Sequence, residues 1–490
     1  MRLSVHLLAC CVSFLLGFIL FCLYGGFGNP GQSYFRLPPA TRYTLNEEDK
    51  PGYGDVGILQ KLGVEFLKDF KNPCWYEYVE EEKQVNFYQE IIKSSSRLRY
   101  VTRKNSGTVL RCLPYFFLVG QPKCGTTDIF QRINSHPDVI QPALKGPHWW
   151  TRRRYGQPSS DRPVSFMEYL ALFNYAATKI EEQWVLSGNR QFHERITGDG
   201  STSTLWDSSQ TMTYLYSVLD ESDVDELVMD YVAKRNGSLK MAGSNGVLNN
   251  GFIKGRTKRD QFDCCYGGSN DADFNARVEK VTYSQNYSIQ PGAVLPITVA
   301  DVIHSVIPNS RIIAVIREPV SRLYSSYLFF NLRSAVSPER FDLLVKSSLE
   351  MWENCTTEYS VRTCAYNKTL QNAMGVRLYN GLYSVFLCDW LKVFPREQVL
   401  VVRMEDYHQN MVSSLATIYS HLGLRPLTDD EKEVVNTAPI HNKSKRKKTV
   451  GKMLNSTADI LREFYRKFNS DLANLLGDSR FTWEDTYAMW

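Results

Sequence analysis

The chain has no Cys-x-x-C pair and no clustered histidines; its 8 histidines are scattered through 490 residues. That excludes the common structural zinc arrangements, and no metal site is expected. A strong charge of either sign is missing too, because 57 basic against 52 acidic side chains leave a formal charge of only +5. Any polyanionic partner must therefore be gripped by local clusters, and no nucleic-acid partner is expected. No repeat of fixed period is present, which excludes solenoids and propellers. Apolar runs long enough to cross a bilayer are absent as well, with a single exception near the N terminus.

That exception is Leu7–Tyr24, 18 residues without a charge, preceded by Arg2. Its length suits a membrane span better than the core of a signal peptide, although a cleaved signal peptide is the alternative. The expected layout is a cytoplasmic tail at 1–6, a signal-anchor at 7–27 and a Gly/Pro/Tyr-rich stem at 28–71. A luminal domain at 72–490 follows, carrying an insertion at about 208–297. Either reading of the N terminus places the bulk of the chain in the secretory pathway, and the expected location is the Golgi membrane, single-pass, with the catalytic domain luminal. Asn-x-Ser/Thr triplets agree with this: Asn236, Asn286, Asn354 and Asn367 are candidate glycosylation sites, with further triplets at Asn442 and Asn455. Cys355 and Cys364 bracket a short polar stretch and are expected to pair in an oxidising lumen, and Cys74 with Cys112 is a second candidate pair.

Within the luminal part the core is expected to begin near Arg111. The pattern predicts buried strands at Tyr115–Val119, Arg311–Ile316 and Gln398–Val402, and helices from Pro319, over Gln371–Phe394 and over Met411–Leu422. Strands apolar on both faces that alternate with helices imply an α/β fold: a phosphate-loop-like parallel sheet flanked by helices. The 208–297 stretch differs, being rich in Gly and Asn with an acidic run from Asp220 to Asp230, and reads as a surface excursion.

The most informative stretch is YFFLVGQPKCGTTDIF, Tyr115–Phe130. An apolar strand ends at Gly120, a short loop reaches Gly125, and Thr126 and Thr127 open a helical segment. Strand, glycine loop and helix N terminus together aim several N–H groups at one anion. A Walker A loop would place lysine directly after the second glycine to reach the β/γ-phosphates. Here that position is Thr126, and the lysine, Lys123, sits inside the loop. Cys124 beside it has no paired histidine and reads as a small side chain tucked under the loop. A second element, RIIAVIREPVSRLYSSY, puts Arg317 at the C-terminal end of a buried strand and Ser325 about two turns into the next helix. An arginine fork plus a hydroxyl suits a second phosphate, whereas the bland reading pairs Arg317 with Glu318 or Asp406.

The pairing of G-x-x-K-x-G-T-T with R-x-P-x-x-R-x-x-S resembles the Golgi carbohydrate sulfotransferases, which use 3′-phosphoadenosine 5′-phosphosulfate (PAPS). Flanking blocks such as NPCWYE, PHWWTRRR, STSTLWD and MGVRLYNGLYSVFLCDWLKVF resemble the branch that sulfates the 6-hydroxyl of N-acetylgalactosamine 4-sulfate in chondroitin or dermatan sulfate. The resemblance implies a 5′-phosphosulfate loop at Gly120, Lys123, Cys124, Gly125, Thr126 and Thr127. It implies a 3′-phosphate site at Arg317 and Ser325, PAPS as donor, no metal, and a sulfated glycosaminoglycan acceptor. In that family a Lys-Glu-x-His segment supplies a glutamate base. Here the segment is Lys145-Gly146-Pro147-His148, so the base falls to His148 or to Asp199. Lys145, Trp149, Trp150, Arg152 and Arg153 are the expected acceptor contacts, aromatic faces for sugars and arginines for sulfate. Two other functions stay open: a catalytically impaired, membrane-anchored glycan-binding homologue, for which Gly146 speaks, and a phosphate-loop nucleotide kinase.

Overall fold

A computed structural model describes residues 64–79, 86–89, 91–92, 96–101, 107–156, 163–211, 297–331, 336–439 and 449–487. The Leu7–Tyr24 run, Asn236, Asn286, Asn442, the acidic run at 220–230 and the basic run at 443–448 lie outside them. Among the described residues no helix is long and apolar enough to cross a membrane.

Strands β1 (Cys74–Val79) and β2 (Gly107–Cys112) pair antiparallel, with Cys74 opposite Cys112. Those two cysteines are joined by a disulfide. The core therefore begins before Arg111: Trp75, Tyr88 and Ile92 already belong to its main apolar cluster.

Strand β3 (Phe116–Gly120) leads into helix α1 (Thr126–Ile133). Helices α2 (Phe166–Leu170) and α3 (Asn174–Glu181) follow, then a small hairpin of β4 (Val185–Ser187) and β5 (Arg190–Phe192), and the two-residue β6 (Gly198–Asp199). After the undescribed segment come α4 (Val299–Val306), β7 (Arg311–Ile316) and α5 (Pro319–Phe330), the last opened by Pro319 with Glu318 as its cap. Helices α6 (Pro338–Glu358) and α7 (Tyr383–Val393), strand β8 (Val399–Arg403), and helices α8 (Met411–His421) and α9 (Asn455–Leu476) complete the frame.

The central sheet runs β6-β3-β7-β8 and is parallel throughout. Its strands are apolar on both faces because both faces are covered. Phe117, Val119, Ile312, Ala314 and Ile316 point into one cluster with α7 and α9. Phe116, Leu118, Ile313 and Val315 point into another with α1 and α8. This is the expected fold class.

The expected helix over 371–394 is broken between Met374 and Leu382. Gly381 explains part of this: a Cβ there would stand 2.6 Å from the ring of Tyr465 on α9, so the turn is pressed against its neighbour. The Cys355–Cys364 disulfide ties the end of α6 to the segment after it. Asn354 on α6 is exposed, whereas Asn367 is half-buried and accepts from the Leu370 N–H as a helix cap. At the edges of the 208–297 stretch, Ser208, Ser209, Thr211 and Ile297 are buried. The Val299 N–H donates to Ser208 Oγ at 3.2 Å, so the excursion leaves and rejoins the core at one point.

Candidate active site

The donor side is built by the ends of β3 and β7. Gly120 is required because a Cβ would meet Leu205 at 2.8 Å. The loop is braced twice through Gln121, whose N–H donates to Val315 O and whose amide donates to Asn380 O, both at 2.6 Å. Gly125, at φ 72, turns the chain into α1 without any side-chain cap on the helix. The first N–H groups of α1 therefore face the loop without a side-chain partner, and the helix dipole adds partial positive charge there.

Lys123 also has a left-handed backbone, at φ 71, and its ammonium lies 3.6 Å from the centre of the Phe329 ring. Burial, and then the Arg317 guanidinium nearby, lower its pKa. Arg317 itself makes no ion pair among the described residues. The bland partners are engaged elsewhere: Glu318 accepts from the N–H groups of Val320 and Ser321, and Asp406 pairs with Arg403 and Arg480. The Arg317 carbonyl accepts from Tyr383 OH at 2.8 Å, which fixes the strand end. Ser325 is half-buried on α5. Cys124 is fully buried and its thiol is pushed up to about 12, so neither a nucleophile nor a contact through sulfur is available, and its N–H donates within the loop to Gln121 O at 3.2 Å. Two cations that enter no ion pair among the described residues, beside an uncapped helix start, suit the phosphate and sulfate groups of PAPS.

The acceptor side is built by two loops, Lys145–Arg154 and Gly198–Asp207. His148 takes φ 53, and its N–H donates to Ser201 Oγ at 2.9 Å. Its Nδ1 lies 2.7 Å from Ser203 Oγ, which is 2.7 Å from Thr151 Oγ1. Burial, reinforced by Arg152 and Lys145, pushes the imidazole down to about 3, so it is neutral at any physiological pH. Gly146 adopts φ 73, and a Cβ on it would stand 3.4 Å from His148 Nε2. The histidine nitrogen thus occupies the neighbourhood into which a side chain at 146 would project.

Asp199 is sealed in. It is fully buried, with Oδ1 accepting from the Ser201 N–H at 2.8 Å and Oδ2 from Tyr169 OH at 2.9 Å. Burial raises its pKa, and Lys145 offsets part of that. It is placed to hold the loop rather than to receive a proton from a substrate. Lys145, lowered to about 8 by burial, approaches Gly200 O at 3.4 Å.

Trp149 and Trp150 do not form a sugar platform. Both are buried: Trp149 stacks on Tyr169 and donates to Val164 O, and Trp150 donates to Tyr169 OH. In HWWTRRR, Trp149, Trp150, Thr151 and Arg154 are buried while His148, Arg152 and Arg153 are half-buried, as the backbone turns back onto the His148 and Trp149 carbonyls. Arg152 remains in the site, bonded to Asp207 at 2.6 Å, and Arg153 is half-buried over Phe87. Sequence reasoning missed Arg377, Ser201 and Ser203. Ser201 and Ser203 lay inside a block already singled out, but only the fold turns them toward His148.

Among the described residues no group of three His, Cys, Asp or Glu side chains gathers at metal-holding distance. The chain matches the Sulfotransferase domain over 294–471 and the Sulfotransferase family over 114–362. Carbohydrate sulfotransferase 15 of Homo sapiens is 33% identical over 457 residues, 88% of this chain and 68% of that one. The Mus musculus protein of the same name is 32% identical over 459 residues, with the same coverage. A solved sulfotransferase from Alicyclobacillus acidocaldarius aligns at TM-score 0.39 and 17% identity, covering 75% of this chain and 96% of that one, too distant to carry an argument. The matched spans hold both the Lys123 loop and the Arg317 strand end, and the identity to the human relative extends through most of both sequences. The protein belongs to the sulfotransferase family.

Proposed function

We propose that the chain transfers a sulfuryl group from PAPS to a carbohydrate hydroxyl, and that this is the 6-hydroxyl of N-acetylgalactosamine 4-sulfate in chondroitin or dermatan sulfate. The observation that carries the donor half is the convergence of Lys123 and Arg317, neither in an ion pair among the described residues, on the uncapped start of α1. The family and the name of its curated relatives support a carbohydrate acceptor.

PAPS, when bound, supplies the sulfuryl group together with a phosphate leaving group. The amides of Lys123, Gly125, Thr126 and Thr127 would hold the 5′-phosphate, and Arg317 with Ser325 would hold the 3′-phosphate. Lys123 neutralises charge growing on the leaving oxygen from a fixed position on the Phe329 ring, so little reorganisation is needed. His148 removes the acceptor proton. That role requires the tautomer in which Nδ1–H donates to Ser203 Oγ and Ser203 donates to Thr151, leaving the Nε2 lone pair free. Gly146 is compatible with this: the space beside Nε2 is left open by the missing side chain.

The nucleotide-kinase alternative fails on Thr126, which stands where a Walker A loop needs its lysine. We place the protein in the Golgi membrane, held by Leu7–Tyr24 with the catalytic domain luminal. The Cys74–Cys112 and Cys355–Cys364 disulfides and the exposed Asn354 triplet support an oxidising, glycosylating compartment. Labelled PAPS offered with desulfated and with 4-sulfated chondroitin, followed by disaccharide analysis, tests the reading. Label in 4,6-disulfated N-acetylgalactosamine is the expected result. Donor binding without any transfer would leave the impaired glycan-binding homologue instead.

A further inference from the structure

The last two residues of α5, Phe329 and Phe330, are 50% and 44% exposed, unusual for adjacent phenylalanines beside a site. Their rings meet edge to face at 5.0 Å. Each carries a cation: Lys123 lies 3.6 Å from one centroid, and the Arg377 guanidinium 3.8 Å from the other. Arg377 is half-buried and makes no ion pair among the described residues. Burial lowers its pKa, and the neighbouring charges are Arg152, Arg322 and Asp207. Lys123, by contrast, feels Arg317. The two phenylalanines thus separate two electrostatic neighbourhoods, one around the donor loop and one around His148 and Arg152.

Arg152 already spends its Nε on Asp207, and Lys368 shares the same carboxylate at 3.7 Å. Arg377 keeps a planar fork that enters no ion pair among the described residues, and Asp207 is the acidic group acting on it. Arg152, Lys368 and Arg377 around that one carboxylate leave an excess of positive charge on the acceptor side, which an arriving anion offsets.

We propose that Arg377, seated over Phe330, forms with Arg152 an anion subsite that grips a sulfate ester or carboxylate of the acceptor beside the hydroxyl being modified. The subsite rests on the reading above that the acceptor is an anionic glycan. The ring fixes the guanidinium so that little side-chain freedom is lost when the anion binds. In this view the phenylalanine pair spaces the two negatively charged reactants, with one cation assigned to each.

The test measures binding of three glycans to the full chain by titration calorimetry: chondroitin 4-sulfate, desulfated chondroitin, and carboxyl-reduced chondroitin 4-sulfate. Binding of PAPS and the thermal midpoint are recorded alongside. Arg377→Ala is expected to raise the Kd of chondroitin 4-sulfate by about tenfold or more, with PAPS binding and the thermal midpoint unchanged. Arg377→Lys, which keeps the charge and loses the fork, and Phe330→Leu, which removes the ring, should each fall between wild type and Arg377→Ala. A loss confined to the two sulfated glycans identifies the anion as the sulfate ester; a loss confined to the two carboxylated glycans identifies it as the uronate. Equal loss on all three, no loss on any, or a weaker hold on PAPS overturns the subsite. If wild type binds none of the glycans but still binds PAPS, the glycosaminoglycan reading falls and the subsite with it. If wild type binds them and Arg377→Ala does too, the subsite alone falls.

Discussion

The donor and acceptor sides of this site are assembled by different means. On the donor side the groups sit at or within two turns of a strand end or helix start, and sequence neighbours stay neighbours in space: Gly120 to Thr127 form one loop, Arg317 to Ser325 one strand-helix junction. On the acceptor side two loops cross, so that His148 finds Ser201 and Ser203, Arg152 finds Asp207, and Arg377 arrives from a third segment. Regular elements fix direction by their own hydrogen bonds; crossing loops take theirs from what they are packed against. The first kind of site should fail at single charges, and the second should fail either at a single group or by losing the packing beneath it.

The sharpest test of the donor side is Lys123→Ala. We expect kcat to fall about a thousandfold with an unchanged thermal midpoint, since removing one preorganised charge from a transition state costs about 10² to 10³. An unaffected kcat would end the reading of this loop. Next comes Trp149→Ala on the acceptor side. The indole is fully buried against Tyr169, so the protein should lose roughly 3 kcal/mol or more in urea unfolding. Normal stability with weakened glycan binding would restore Trp149 as a sugar contact and blur the contrast. His148→Gln should lower kcat about a hundredfold, the usual scale for a general base, while leaving donor binding intact. Because His148 is already neutral down to about pH 3, wild type should show no acidic limb in kcat/KM near pH 6.5.

The smallest effect belongs to Lys145. Its folded pKa of about 8 means that it loses charge as pH rises through 8, so kcat/KM for an anionic acceptor should decline there. Lys145→Arg, which stays protonated, should remove that basic limb. The sign for stability is opposite. Burial disfavours the charged form, so between about pH 8 and 10.5 the unfolded chain holds more protons and stability rises with pH from this group.

This contrast also explains what the sequence disclosed. The parallel sheet, the Gly120–Thr127 loop and Arg317 were legible because continuous apolar strands and glycine punctuation are local signals. The Cys74–Cys112 link was legible, but the strands β1 and β2 that carry it and the break at Gly381 were not, since each depends on a distant partner, β2 alongside β1 and Tyr465 against the turn. Lys145, His148 and Arg152 were singled out by residue type, and so were Trp149, Trp150 and Asp199, but the fold buries those last three. Three consecutive residues in a tight turn can point into core, cleft or solvent, and no periodicity records which. Arg377 went unnoticed because it sits inside an apolar segment that reads as one helix.

The junction at Ser208 and Val299 has a consequence for how such a chain can change over generations. Where two ends of a segment leave the core side by side, the sheet is indifferent to how many residues lie between them, and the entropy of closing the loop grows only by about 0.6 kcal/mol with each doubling of length. Insertions and deletions can accumulate at that seam without a compensating change in β3 or β7. It is therefore where members of this lineage are free to lengthen, shorten and acquire new surfaces while the phosphate-binding machinery keeps its registration.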